Sequence, residues 1–385
     1  MSVSILIMFH CKQNTGYAIG TLEKVFEEAA SKAGFSAENI YVSFKEVFSP
    51  SENVLKIDYH SSEDIKTLRQ LINEKNVETI LAFDLPQPSE IVRVARAAKV
   101  SKILAYWGAS MSSINGGLKL FLKRCQWLLQ ANISPDLFIF ESRAMQRTAT
   151  HGRGIPKSRT TVIPLGVDTS VYVPTSEDGY THSIFDIPRT RKIVIYSGHM
   201  EERKGVRVLI SAMLELERRQ QLEDIHLLIC GDEGDQSQIY EAMLQSSKAK
   251  DHVTFGGYRS DMPQLMRSAY LGTIASTGWD SFTMSSIEMM ASGLPLVVSN
   301  LQGLAETIED EVCGYYIQPG DYETLASIWT NYVNNADLRN RHSRAARSRV
   351  EELFSVNTQI NQIADLISPN VSVDNSIVKP IQERT

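Results

Sequence analysis

The stretch TGWDSFTMSSIEMMASGLPLVVS, residues 277–299, carries two carboxylates eight positions apart, Asp280 and Glu288. Leu271 to Ser276 ahead of it reads as a strand, Gly278 allows a tight exit, and Met284 to Ser292 has helical composition stopped by Gly293 and Pro295. Asp280 is then expected in the loop at a strand's carboxyl end, with Glu288 about two turns along the next helix. Carboxylates facing a cleft accept hydrogen bonds from hydroxyls, and a ligand with sugar and ribose diols would supply them. The backbone N–H groups around Phe282 to Ser285 form a site for phosphate oxygens at the helix start. Two acids at this spacing are common, so their position after a strand carries more weight than the spacing.

The elements that must position these residues follow one pattern twice. Short runs rich in Ile, Val, Leu and Phe alternate with segments of helical period, which predicts strand-helix-strand units and parallel sheets. The first half has strands at Val3 to Phe9, Thr79 to Phe83, Lys102 to Tyr106, Asp136 to Phe140 and Thr161 to Pro164. The second has them at Lys192 to Ser197, Ile225 to Cys230, His252 to Phe255, Leu271 to Ser276 and Leu294 to Ser299. The predicted fold is α/β, two Rossmann-like doubly wound domains facing a cleft, with chemistry in the loops at the strands' carboxyl ends. The first domain is set at 1–174, a polar, turn-rich linker at 175–190 and the second domain at 191–350. A helix at 351–368 is expected to return to the first domain, and 369–385 reads as a loose tail.

Composition removes several classes. The chain has 385 residues, 43% apolar and 22% charged, ordinary for a folded globular protein. Its net charge of −6 offers no whole-chain attraction to nucleic acid, and no nucleic-acid partner is expected. Cys11, Cys125, Cys230 and Cys313 lie far apart, which suits free thiols in a reducing compartment. No apolar run nears the roughly 18 residues that span a bilayer, and the N-terminus reads as a first strand, so a cytoplasmic protein is expected. Gly16 and Gly20 lack dinucleotide-fingerprint spacing and there is no Walker loop, which removes support for nucleotide oxidation and ATP hydrolysis. No Asp-x-Asp pair is present to hold a metal with a nucleotide sugar.

The segment from Asp280 to Pro295 resembles the signature of the family 4 retaining glycosyltransferases (glycosyl transferases group 1), which have the GT-B fold. That signature is an acid, seven residues, a Glu, then Gly-x-Pro before a Val-rich strand, and Asp280, Glu288, Gly293 and Pro295 are in register with it. Asp280 stands where Glu is usual, one methylene shorter. Further matches occur in order: SGHMEERKGVRVLISAM (197–213) with Lys204 and Gly205, ICGDEGD (229–235), VTFGGYRSDMPQLMRSA (253–269), and TTVIPLGVDTSVY (160–172) with Gly166, Val167 and Asp168. In the first half NTGYAIG (14–20) is similar to the family's glycine loop, with Gly16 aligned. Trp107 occupies the place of a frequent His, and His199 that of a usual Arg.

The resemblance implies a hexosyltransferase that takes sugar from a UDP-linked donor, with GDP as second choice, and passes it to a hydroxyl of a glycan or glycolipid. No cofactor or metal is required on this view. It gives Lys204, with Arg203 as support, to the diphosphate, Glu288 to the ribose, and Asp280 to the donor sugar along with Ser281, Phe282, Thr283 and Met284. The remaining donor contacts fall to Gly16, Gly198, His199, and the nucleobase loop of Gly257, Tyr258 and Arg259. Alternatives are an epimerase or phosphorylase of similar fold, and a non-catalytic nucleotide-sugar-binding subunit. One local stretch, 116–130, supports two readings. Leu118, Phe121, Leu122, Cys125, Leu128 and Leu129 form a stripe that core packing would explain, while Trp127 beside Lys119, Lys123 and Arg124 suits peripheral contact with the inner face of a membrane.

Overall fold

The computed structural model describes residues 3–14, 16–175, 179–231 and 234–369. The chain divides into two compact units, Met1–Pro164 with Asn357–Thr385, and Leu165–Val356.

The first unit runs β1 (Ser4–Phe9), α1 (Gly16–Lys32), β2 (Ile40–Phe44), β3 (Val54–Lys56), α2 (Ser62–Glu74), β4 (Val77–Phe83), α3 (Glu90–Ala97), β5 (Lys102–Trp107), α4 (Gly117–Gln130), β6 (Leu137–Phe140), α5 (Arg143–Arg147) and β7 (Thr160–Val162). A π-helical turn, Thr148–Arg153, follows α5. The second runs α6 (Tyr180–Ile184), β8 (Lys192–Ser197), α7 (Val206–Arg218), β9 (Ile225–Cys230), α8 (Gln238–Leu244), β10 (Val253–Gly257), α9 (Met262–Arg267), β11 (Leu271–Ile274), α10 (Met284–Ala291), β12 (Leu296–Ser299), α11 (Gln302–Ala305), β13 (Gly314–Ile317), α12 (Tyr322–Asn334) and α13 (Ala336–Leu353). Helix α14 (Val356–Ile367) closes the described chain.

Both sheets are parallel throughout, ordered β3-β2-β1-β4-β5-β6-β7 and β10-β9-β8-β11-β12-β13. This is the doubly wound order the alternating pattern predicted. β1 and β9 are buried at every residue. Helices on both faces leave no polar side for such strands, so their sequences are continuous apolar runs rather than alternating ones. Strand order reverses between β1 and β4 in one sheet and between β8 and β11 in the other.

Three strands escaped the sequence pattern. β3 has three residues, none fully buried, and β2 is a five-residue run inside a polar stretch. β13 opens on Gly314, where a Cβ would lie 2.0 Å from the Leu296 carbonyl oxygen. Its close approach to β12 requires a residue that strand propensity disfavours.

The domain boundaries also differ from expectation. The stretch expected to link the domains, 175–190, belongs to the second unit, although 176–178 lie outside the described residues. Thr181 accounts for this: its N–H donates to Ser268 Oγ (3.0 Å) and its Oγ1 to the Leu265 carbonyl (3.1 Å). Polar, turn-rich composition cannot tell a loop tied down by hydrogen bonds from a linker. Helix α14 belongs to the first unit, where Gln359 Nε2 donates to Tyr106 Oη at 3.2 Å and Lys102 Nζ to the Leu366 carbonyl at 3.5 Å. Of the tail placed at 369–385, residues 370–385 lie outside the described residues.

Helix α4 is turned over relative to both sequence readings. Trp127 is buried, edge-on to Phe138 with ring centroids 5.9 Å apart, whereas the leucine stripe faces out. A Trp offers more apolar area than any single leucine on the stripe, and one such side chain in a fitting slot decides which face packs.

Candidate active site

The strand order of the second sheet reverses between β8 and β11. In open parallel sheets ligands bind outside the carboxyl ends of the strands at such a reversal. The two loops here are stitched together, with the Thr277 and Gly278 N–H groups both donating to the Arg203 carbonyl (2.8 and 3.3 Å). Gly205 makes the approach possible. It has φ +77°, and a Cβ there would fall 1.8 Å from the Ala275 carbonyl oxygen.

That closeness brings Lys204 to Asp280. Lys204 Nζ lies 2.8 Å from Asp280 Oδ1, and Ser276 Oγ donates to Asp280 Oδ2 at 2.6 Å. The Asp280 N–H donates to Gln302 Oε1 at 3.3 Å. The side chains are 17% and 3% exposed, so the ion pair has shed most of its water. A carboxylate this deep needs such partners, because its desolvation is otherwise costly.

Helix α10 begins at Met284, so Glu288 is its fifth residue, one turn in rather than two, and only 5% exposed. The first turn of α10 has neither a side-chain cap nor an acid, so its amides and the positive end of its dipole suit an anion. Thr283 and Ser286 bond to each other through their hydroxyls at 2.6 Å, holding the extended entry to the helix. Phe282 is buried edge-on against Phe354, with centroids 5.0 Å apart. Its side chain anchors the loop, and only its backbone is left to meet a ligand.

The remaining donor-side residues lie at neighbouring strand ends. Gly198 leaves β8, and Gly231 (φ +118°) sits against it so closely that a Cβ would lie 2.3 Å from the Gly198 carbonyl oxygen. The Gly231 N–H in turn donates to the Gly257 carbonyl at 2.9 Å, so the ends of β8, β9 and β10 form a row. His199 is exposed, and its carbonyl accepts the Tyr196 hydroxyl at 2.7 Å. Arg203 bonds Glu201 (2.7 Å) and the Trp279 carbonyl (2.9 Å), bracing the Asp280 loop from outside. Tyr258 is exposed, while Arg259 is committed to both Asp261 oxygens at 2.8 and 2.6 Å and stacks over Phe185. Gly16 lies in the first unit, where it opens α1 at φ +67° with open space around a Cβ position.

Two acids in the first unit escaped the sequence reasoning. Asp84 follows β4 and Glu141 follows β6, with Gly108 at the end of β5 between them. The Gly108 N–H donates to Asp84 Oδ1 at 3.0 Å, and a Cβ on Gly108 would lie 3.2 Å from Glu141 Oε1. Burial pushes Asp84 up to about 6; burial and the nearby Asp84 charge push Glu141 up to about 8. Their one sequence signal was an acid directly after an apolar strand, Phe83-Asp84 and Phe140-Glu141. Trp107, beside them on β5, has a buried indole N–H without a hydrogen-bond partner among the described residues.

Residues 181–349 match the family model described as Glycosyl transferases group 1. The matched residues lie within the second unit, and the two parallel sheets, one in each unit, are those of the GT-B fold shared with the solved structures below. In sequence the chain is similar to a phosphatidyl-myo-inositol mannosyltransferase of Mycobacterium leprae, 30% identical over 48% of this chain and 49% of that one. It is also similar to a mannosylfructose-phosphate synthase of Agrobacterium fabrum, 26% identical over 64% of this chain and 56% of that one. The chain thus spans about half the length of the curated relatives it matches. In structure it is similar to a glycosyltransferase of Rickettsia africae, with a TM-score of 0.78 at 18% identity, covering 96% of this chain and 99% of that one. Anabaena Alr3699/HepE, solved in complex with UDP, has a TM-score of 0.74 at 21% identity, covering 95% and 99%.

Proposed function

We propose that the chain is a retaining hexosyltransferase that moves a sugar from a UDP-linked donor, with GDP as the second choice, to a hydroxyl of a glycan or glycolipid. The observation that carries this is the Lys204–Asp280 pair at the reversal of strand order, beside the uncapped start of α10. A nucleotide diphosphate gains negative charge as the bond to its sugar breaks, and a positioned ammonium with preoriented amides stabilises that charge without reorganising. Lys204 and the first amides of α10 take that part, with Arg203 holding the loop. Glu288, one turn along α10, accepts the ribose hydroxyls, and Asp280 with the backbone of Ser281 to Met284 orients the sugar. The uridine nucleotide draws support from Anabaena Alr3699/HepE, solved with UDP and with UDP-glucose.

Lys204 supplies the cationic charge in this scheme, and no metal is required. Among the described residues no group of three or more His, Cys, Asp or Glu is placed to hold one. No helix of the described chain is long and apolar enough to cross a membrane. We place the protein in the cytoplasm, touching the inner face of the membrane through residues 116–130.

The test is donor binding and turnover by Glu288→Ala. A charged hydrogen bond contributes about 1.5–3 kcal/mol, so donor affinity should fall about 10- to 150-fold in protein that still unfolds cooperatively. Wild-type turnover by a folded Glu288→Ala protein would sink the assignment. Product analysis with and without an acceptor separates the transferase from an epimerase, which needs none.

A further inference from the structure

Helix α4 presents its apolar stripe to solvent. Leu118, Phe121, Leu122, Leu128 and Leu129 are 58–87% exposed, and a contiguous face of that kind marks a contact surface. The neighbouring chain is predominantly basic, with Asp136 taken up by Arg96 and Arg159. Neither 91–135 nor 142–167 contains an acidic residue, in a chain whose net charge is −6. Both segments meet at α4. Gly154 (φ +76°) packs so tightly on the helix that a Cβ would lie 2.6 Å from the Arg124 backbone nitrogen.

Beside this contact is a cavity of about 450 Å³, within the size range of small-ligand sites, lined by Arg124, Arg147 and Lys157 with His151, Trp127 and Leu128. The three cationic side chains make no ion pair or side-chain hydrogen bond among the described residues. Leu128 belongs both to the cavity wall and to the exposed stripe, so the cationic pocket and the apolar face are continuous. We infer that this cavity binds the phosphate of an anionic lipid whose acyl chains lie along the exposed face of α4. Arg124 and Arg147 offer paired N–H donors to phosphate oxygens and Lys157 a point charge, while the leucines and Phe121 enter the interface between headgroups and chains. The inference deepens the membrane-contact part of the proposed function and rests on that part alone.

Co-sedimentation of the full chain with vesicles tests it, comparing phosphatidylcholine alone with phosphatidylcholine containing about a third phosphatidylglycerol. Arg147→Gln/Lys157→Gln should weaken binding to the anionic vesicles about 25-fold, roughly fivefold per charge. Lys119→Gln/Lys123→Gln, which removes the same number of charges from α4 outside the cavity, should weaken it no more than about fivefold in all. Phe121→Ser/Leu129→Ser should lose binding to both vesicles at an unchanged melting temperature, since both residues are exposed. Inorganic phosphate should compete more strongly than chloride at equal ionic strength. If the cavity variant weakens binding no more than Lys119→Gln/Lys123→Gln does, attraction is diffuse and the phosphate site is overturned, although membrane contact stands. If no protein sediments, membrane contact falls as well. Phosphate that stabilises only the wild type, without vesicle binding, would mark a free-phosphate site and overturn the lipid. A dimer that Phe121→Ser/Leu129→Ser dissociates, again without vesicle binding, would put a second copy on the stripe.

Discussion

Lys204 and Asp280 show why one residue's role depends on its surroundings. On a surface such a pair contributes little, but withdrawn from water each charge depends on the other. Lys204→Met should lower stability by about 2–3 kcal/mol in urea denaturation and turnover by about 10²–10³-fold. Adding Asp280→Asn should restore part of the stability and none of the turnover, because it removes the stranded charge and not the lost cation. Glu141 makes the opposite case, a carboxyl kept protonated by burial. Its folded pKa of about 8 lies above the 4.5 of a free glutamate carboxyl, so its contribution is fully present below pH 4.5 and is lost as pH rises toward 8. Glu141→Gln should therefore match the wild-type melting temperature near pH 4.5 and exceed it increasingly up to pH 8. The difference in stability should reach the order of 4 kcal/mol. A constant offset across pH would refute the buried-acid account.

Elements set the precision with which these side chains meet. Gly205→Ala puts a methyl group into the Ala275 carbonyl at a φ that L-residues avoid. It should cost about 3 kcal/mol or more in stability and remove activity by parting the two loops. Gly20→Ala, with open space around it inside α1, should instead stabilise by about 0.5–1 kcal/mol, and thermal melts of the two variants check the contrast. At this scale the sequence was legible where a strand is buried on both faces, as in β1 and β9, because only apolar residues fit there. It was less legible at the sheet edges. β3 and β13 need pair on one side only, and β13 begins on a glycine that composition counts against a strand. Helix α4 was visible as an amphipathic helix, but its period does not say which face turns inward. Trp127 settled that by packing.

For the whole molecule, each unit has its own sheet and core, and α14 returns the chain's end to the first. Calorimetry should resolve two transitions rather than one. UDP at about 100 times its Kd should stabilise only the second unit, by about 2.7 kcal/mol, raising its transition roughly 5–10 °C. Glu141→Gln at pH 8 should raise only the other. A UDP-driven shift of both transitions together would show that the units melt as one.

By itself the sequence determined two doubly wound parallel sheets and the order of the loops that bear Lys204, Asp280 and Glu288. Those features follow from local chemistry: apolar runs that only a covered strand can use, glycines at tight exits, and acids placed just after strand ends. Tertiary structure alone decided the rest. It set Lys204 against Asp280 across 76 positions, gathered Asp84, Gly108 and Glu141 at the ends of adjacent strands, and turned the leucines of α4 outward. Each depends on which surfaces are covered when the elements pack, and no span of neighbouring residues carries that information.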